Sequence, residues 1–246
     1  MRIPRIYQPI PLHIGDTISL DAQATNHVVR VLRLKQDDPV IVFNGQGGEY
    51  AGVIDAVSKR HATVRLQQFQ QPDKESPLHI CLFQGVSRGE RMDFTMQKAV
   101  ELGVNSIFPV HTQRSAVHIN VERMTKKHAH WQGVVNSACE QCGRDVVPQV
   151  HEPATLQERA ADIAAQENGV AFALDHRAEQ SLTEVDKPNS CDVALVVGPE
   201  GGLTAQELDW LRELGCISVK MGPRILRTET AAVTAIAVMQ SLWGDF

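Results

Sequence analysis

Aromatic residues are scarce in this 246-residue chain, at 5%, and its five cysteines form an odd, scattered set. Few rings leave base stacking a secondary device in any nucleic-acid contact. An odd number of widely spaced thiols does not make a disulfide framework and fits a reducing compartment. No apolar run approaches the roughly 18 residues a membrane span needs. The start, Met1 to Tyr7, has a proline and two arginines where a secretory signal needs an unbroken apolar stretch. A cytoplasmic protein is the expectation. The chain also lacks a Gly-Lys-Ser/Thr phosphate loop and a G-x-G-x-x-G turn, which removes the common nucleotide-binding signatures. Its net charge of −5 argues against bulk nucleic-acid binding. The front is different: residues 1–72 carry eight Lys and Arg against six Asp and Glu.

What is present divides into two rhythms. Short β-rich runs at Arg2 to Tyr7, Thr17 to Leu20, Pro39 to Asn44, Glu49 to Val57 and His61 to Phe69 predict a small antiparallel barrel. One helix interrupts them, capped by Asp21 and running to about Leu34, with His27, Arg30 and Arg33 sharing a face. Gln70 to Pro77 reads as a linker. Beyond it, strands and helices alternate. Strands are predicted at Leu78 to Gln84, Ser106 to Val110, Val170 to Leu174, Val193 to Val197 and Cys216 to Lys220. Helices are predicted at Glu90 to Leu102, Val121 to Cys142, Ala154 to Gln166, Thr204 to Gly215 and Glu229 to Leu242. Such alternation implies a mostly parallel sheet, with ligands at the carboxyl ends of its strands.

Three loops sit at such ends. Gly85-Val86-Ser87-Arg88-Gly89 fits the G-x-S-x-G nucleophile turn of serine hydrolases. Asp175 and His176 follow in the right order, but as adjacent residues they are ill placed to form a relay. Gly198-Pro199-Glu200-Gly201-Gly202 lets main chain approach a ligand closely, and its carboxylate suits hydroxyls or a cationic centre rather than pyrophosphate. Met221-Gly222-Pro223-Arg224-Ile225-Leu226-Arg227-Thr228-Glu229-Thr230 repeats the Gly-Pro device, with Thr228 or Thr230 as a helix cap and Arg227 beside it.

Candidate phosphate contacts are Arg2, Arg5, Arg30 and Arg33 in the front, continued by Arg88 and Arg91. Glu140, Gln141 and Arg144 offer donors and acceptors to a base edge. No metal site is expected: Cys139-x-x-Cys142 lacks a second ligand pair, and His128 and His130 face different ways on a helix.

The segments GPEGG and MGPRILRTETAA, the front RIPRIY, HVVRVLRL, MDFTMQKAVELGV and EQCGR closely resemble the ribosomal RNA small subunit methyltransferase E family of SPOUT methyltransferases. That resemblance covers nearly the whole chain. It implies a PUA-like β-barrel that binds RNA over residues 1–72. Residues 73–246 would then be a SPOUT-type α/β domain with a C-terminal trefoil knot. It further implies a homodimer, S-adenosylmethionine (SAM) as cofactor, and methylation at N3 of one uridine in 16S rRNA. Residues matching the family's cofactor loops are Leu174, Gly198, Pro199, Glu200, Gly201, Met221, Gly222, Leu226 and Thr230. Uracil N3 must lose its imide proton, so Arg227 is expected to stabilise the resulting charge, with Glu200 as candidate base. A hydrolase using Ser87 and a noncatalytic RNA-binding protein are the alternatives.

Overall fold

A computed structural model describes residues 3–115, 121–164 and 169–246. The chain divides into two compact units, one of residues 1–75 with 136–147, the other of residues 76–135 with 148–246.

The first unit contains β1 (Arg5–Tyr7), β2 (Thr17–Ser19), α1 (Ala22–Asn26), β3 (Pro39–Phe43), β4 (Glu49–Val57) and β5 (Ala62–Gln70). They form one sheet in the order β1-β3-β4-β5-β2. Alternating residues of these strands point inward, where Ile6, Val40, Val42, Ile54, Val64 and Leu66 make the core with Val28. Register shifts at Ala51/Gly52 and Ile54/Ala56 mark bulges in the longest strand pair, and bulges increase a sheet's curl.

Two expectations change here. The sheet is not wholly antiparallel, because β1 lies parallel to β3. The predicted helix from Asp21 to Leu34 is also not one α-helix. Asp21 caps it as expected, its Oδ1 accepting the Ala24 N–H at 2.8 Å. After Asn26, however, His27–Leu32 widens into a π-turn, and Arg33 ends it in the left-handed region at φ 55°. The β-branched Val28, Val29 and Val31 crowd the preceding turn, and a wider winding relieves that crowding. His27, Arg30 and Arg33 therefore do not share one α-helical face.

Residues 136–147 join this unit through buried polar bonds. The Tyr7 N–H donates to Glu140 Oε1 at 2.9 Å, and the Gly48 N–H to Asp145 Oδ2 at 2.9 Å. The Arg5 guanidinium pairs with the Glu49 carboxylate and donates to the Arg144 carbonyl at 3.0 Å. Arg144 in turn grips Glu75, with Nε 3.0 Å from Oε2.

The second unit is a parallel sheet flanked by helices. Its elements are β6 (His79–Gly85), α2 (Glu90–Glu101), β7 (Val104–His111), α3 (Val121–Cys142), β8 (Gln149–Val150), β9 (Ala154–Thr155), α4 (Ala160–Ala164), β10 (Val170–Leu174), β11 (Asp192–Val197), α5 (Ala205–Glu213), β12 (Ile217–Val219) and α6 (Thr228–Trp243). The last turns of α3 fall in the first unit. Strand order is β12-β10-β11-β6-β7-β8, with β9 also on β7, and every pairing is parallel. The helix expected over Ala154 to Gln166 opens instead as the short β9, because Val110 and His111 offer a free ladder edge. Helix begins only at Ala160, and Gln166 lies outside the described residues. The predicted capping box of α5 forms: Thr204 Oγ1 accepts the Glu207 N–H and Glu207 Oε2 accepts the Thr204 N–H.

Gln240 on α6 is wholly buried. Its Oε1 accepts the Ser76 hydroxyl at 2.7 Å, and its Nε2 donates to the Leu102 carbonyl at 2.8 Å, closing the end of α2. Gln240→Ala removes both bonds and leaves a void, so urea unfolding is expected to show a loss of about 2–4 kcal/mol. An unchanged midpoint would contradict this account.

Candidate functional site

Because the strands of the second unit run the same way, the carboxyl ends of β6, β10, β11 and β12 meet at one edge of the sheet. A cleft of about 190 Å³ opens there. Leu174, Asp175 and His176 line it from β10, Val197 to Gly202 from β11, and Val219, Lys220 and Met221 from β12. Arg224, Ile225, Leu226, Thr228 and Ala231 complete the wall.

Close backbone approach shapes this cleft. A Cβ on Gly85 would fall 2.4 Å from the Pro199 nitrogen, and one on Gly198 would fall 2.7 Å from the Gly202 carbonyl carbon. Only glycine fits at either position. Thr228, at the start of α6, donates its hydroxyl to the Gly198 carbonyl at 2.6 Å and accepts from Gln84 Nε2 at 3.0 Å. The two proline-stiffened loops are thus tied through one buried hydroxyl. From outside, Arg114 Nη1 donates to the Gly201 carbonyl at 2.9 Å.

Of the residues proposed for a cofactor, Leu174, Gly198, Pro199, Glu200, Gly201, Met221 and Leu226 line the cleft. Gly222 supplies the bend at φ 75° without lining it. Thr230 is exposed on α6 and lies outside the lining, which Thr228 and Ala231 reach. Arg227 is exposed and immediately precedes α6. Asp175 and Lys220 also line the cleft and were not singled out for it from the sequence. Each directly follows a strand, so the strand-end rule contained the signal.

Charge around Glu200 is specific. Burial acts to raise its carboxyl, but the Arg88 N–H at 2.9 Å and the Arg91 guanidinium at 3.2 Å outweigh it and hold the group below its ordinary value. It stays ionised well below neutral pH. Asp175, largely buried, accepts from the Arg177 N–H at 3.0 Å and Arg177 Nε at 3.1 Å.

The serine-hydrolase alternative fails on geometry. Ser87 is buried and its hydroxyl donates to the Gly85 carbonyl at 3.2 Å, so its proton goes to main chain rather than to a base. Two of the predicted RNA contacts are also corrected. Arg5 and Arg144 are 7% and 5% exposed and committed to Glu49 and Glu75, which leaves neither guanidinium free for phosphate. Arg91 is half-exposed but engaged with Glu200. Arg30 and Arg33 are exposed and make no ion pair among the described residues, while Arg2 lies outside those residues. Glu140 and Gln141 line a separate groove within the first unit.

His128 bonds the Val150 carbonyl at 2.7 Å and His130 bonds Asp93 at 2.8 Å, each on its own side of α3. Burial pushes the Cys139 thiol up to about 12, so it is a poor nucleophile at neutral pH. Among the described residues no group of three or more His, Cys, Asp or Glu is placed to hold a metal ion.

A curled sheet and a parallel α/β unit with a glycine-proline cleft define an RNA methyltransferase of two parts. The family described as RNA methyltransferase domain matches residues 74–240, and the RNA methyltransferase PUA domain matches residues 20–67. The chain is 35% identical over 244 residues to the ribosomal RNA small subunit methyltransferase E of Buchnera aphidicola from Schizaphis graminum, covering 99% of this chain and 98% of that protein. It is 39% identical to the crystal structure of the same enzyme from Neisseria gonorrhoeae bound to SAM, with a TM-score of 0.92 and full coverage of both chains. A Legionella pneumophila protein described as a methyltransferase, in complex with the cofactor SAM, is 38% identical with a TM-score of 0.94 and full coverage of both. The chain belongs to the ribosomal RNA small subunit methyltransferase E family. The fold agrees with the two parts expected from the resemblance, a PUA-like sheet followed by a parallel α/β methyltransferase unit.

Thr228→Val keeps the shape of the side chain but removes the tie between the loops. Amide exchange at Gly198 and at residues 200–203 is expected to accelerate at least about tenfold, with Thr228→Ser near the parent rate. Equal protection in the valine variant would show that the hydroxyl does not hold the loops.

Proposed function

We infer that this protein transfers a methyl group from SAM to N3 of a specific uridine in 16S rRNA of the small ribosomal subunit. The cleft between the two glycine-proline loops carries this reading, with support from the SAM-bound relatives that span the whole chain. The residues present fit SAM. Leu174, Val197, Val219, Ile225 and Leu226 give apolar walls for an adenine ring, and the carboxylates of Asp175 and Glu200 suit ribose hydroxyls and a cationic centre. A triphosphate would meet those carboxylates and be repelled. Bound there, SAM supplies an electrophilic methyl group on a positively charged sulfur.

The chain's own residues do the rest. Main chain of residues 198–202 and 221–226 would hold the adenine edge, with Gly198 and Gly201 leaving room for its approach. The depressed pKa of Glu200 makes it a weak proton acceptor, so its role moves from base to an electrostatic one beside Arg91. Arg227 stabilises the negative charge that develops on the uracil carbonyl oxygens as the imide proton leaves. Positioning contributes further, without a dedicated base.

Exposed Arg30 and Arg33 hold RNA phosphates, with Arg88 extending that track. The first unit, residues 1–75 with 136–147, serves RNA binding, and the second, residues 76–135 with 148–246, serves catalysis. The trefoil knot and the homodimer belong to the same proposal and rest on kinship, with exposed Leu242 and Phe246 as apolar surface for the dimer. The work is placed in the cytoplasm, on rRNA or assembled small subunits.

Calorimetry with SAM, and mapping of the modified nucleotide after incubation with unmodified small subunits, test the whole reading. A purely RNA-binding protein would show no saturable SAM binding. Arg227→Ala is expected to raise the barrier by about 2–4 kcal/mol, roughly 30- to 1000-fold in single-turnover rate, at unchanged SAM affinity. Near-normal turnover removes Arg227 from the mechanism. Arg30→Ala and Arg33→Ala are each expected to reduce the salt slope of RNA binding by about one unit. An unaltered slope tells against that phosphate track.

A further inference from the structure

The first unit holds its own groove of about 600 Å³, which shares no lining residue with the SAM cleft and is unused in the reaction derived above. Val31 and Leu32 of the π-turn line one part of it, and Glu140 and Gln141 of α3 another. Val31 is 63% exposed and gives the groove an open apolar surface. Glu140 is oriented rather than loose. Its Oε1 accepts the Tyr7 N–H at 2.9 Å, whereas Oε2 has no hydrogen bond among the described residues. The other lining carboxylate, Asp21, is already committed: Oδ1 caps Ala24 and Oδ2 accepts from Gln8 Nε2 at 3.1 Å.

We propose that this groove takes an unstacked guanine of the RNA substrate, read on its Watson–Crick edge by the Glu140 carboxylate. The argument is one of charge and donor geometry. A carboxylate in the groove repels phosphate, so the occupant enters base first, with its backbone kept outside. Arg30 and Arg33 flank the lining residues Val31 and Leu32 in sequence and are exposed, as a contact to that backbone requires. A carboxylate only accepts hydrogen bonds, so it selects an edge that donates. Guanine alone among the four bases presents two adjacent donors there, N1–H and the 2-amino group, which match the spacing of two carboxylate oxygens. Oε2 is available, and Oε1 keeps a second lone pair beside the Tyr7 bond. Aliphatic walls then cover the flat faces of the ring. Burial pushes the Glu140 carboxyl above its ordinary range, consistent with a group that gains from a donor partner.

This inference rests on RNA being the substrate, and the experiment separates the two. Ligand-observed saturation-transfer NMR on SAM-saturated protein would compare the 5′-monophosphates of guanosine, inosine, adenosine, cytidine and uridine. Guanosine monophosphate is expected to bind about tenfold more tightly than inosine monophosphate, which lacks the 2-amino group, and more tightly than the other three. Glu140→Gln keeps an acceptor for Tyr7 but puts a donor against guanine, and it is expected to abolish the preference while SAM binding stays the same. Equal binding of guanosine and inosine monophosphates to the unaltered protein overturns the proposal, and needs no variant to fold. A guanine preference that survives Glu140→Gln also overturns it, since the selectivity would then lie elsewhere. Loss of SAM binding and of methylation in the unaltered protein would sink the methyltransferase reading while leaving the guanine comparison standing.

Discussion

One buried hydroxyl organises the catalytic unit. Thr228 stands where α6 begins, gives its proton to the Gly198 carbonyl and takes one from the Gln84 amide. Through it the last loop, the β11 loop and the end of β6 share a single polar contact in surroundings where an unmade hydrogen bond costs about 1–3 kcal/mol. Gly85 and Gly198 allow the backbones to come close enough for it. The cleft is a product of that closeness: a larger side chain at either glycine would part the loops before any ligand arrived.

The same economy of polar groups sorts the arginines. In the front unit Arg5 and Arg144 are buried and consumed by Glu49 and Glu75, so they hold the fold rather than the substrate. Glu49 is also met by Lys74, and although burial acts to raise its carboxyl, these partners hold it below its ordinary value. Its contribution is therefore present at neutral pH and lost as acid brings the solution down through its folded pKa. Arg30 and Arg33, in the π-turn and at its left-handed end, remain available to solvent. Sequence spacing alone does not separate these two classes, because which carboxylate a guanidinium finds depends on pairings across more than 40 residues.

Much of the design was legible beforehand. The strand-helix alternation located the parallel sheet, the Thr204 capping box formed as read, and two loops marked by Gly-Pro pairs met at a strand edge. The misses share a cause. The π-turn at His27 to Leu32 comes from local crowding that helical periodicity does not register, and the short β9 exists because β7 had an unpaired edge. Asp175 was visible but weighed only as a relay partner for Ser87, where it was judged ill placed. The lowered carboxyl of Glu200 was not visible either, because it depends on Arg88 and Arg91, which lie about 110 residues earlier in the chain.

The front unit is discontinuous, and that affects how the protein emerges from the ribosome. Tyr7, Arg5 and Gly48 find their partners at Glu140, Arg144 and Asp145. A nascent chain that has produced only its first 75 residues has the strands of this unit but lacks acceptors for those donors. At about 5–20 residues per second, it waits several seconds until residues 136–147 are translated. During that interval all five strands of the curled sheet are present, but the main-chain donors of Tyr7 and Gly48 have only water to bond until residues 136–147 arrive.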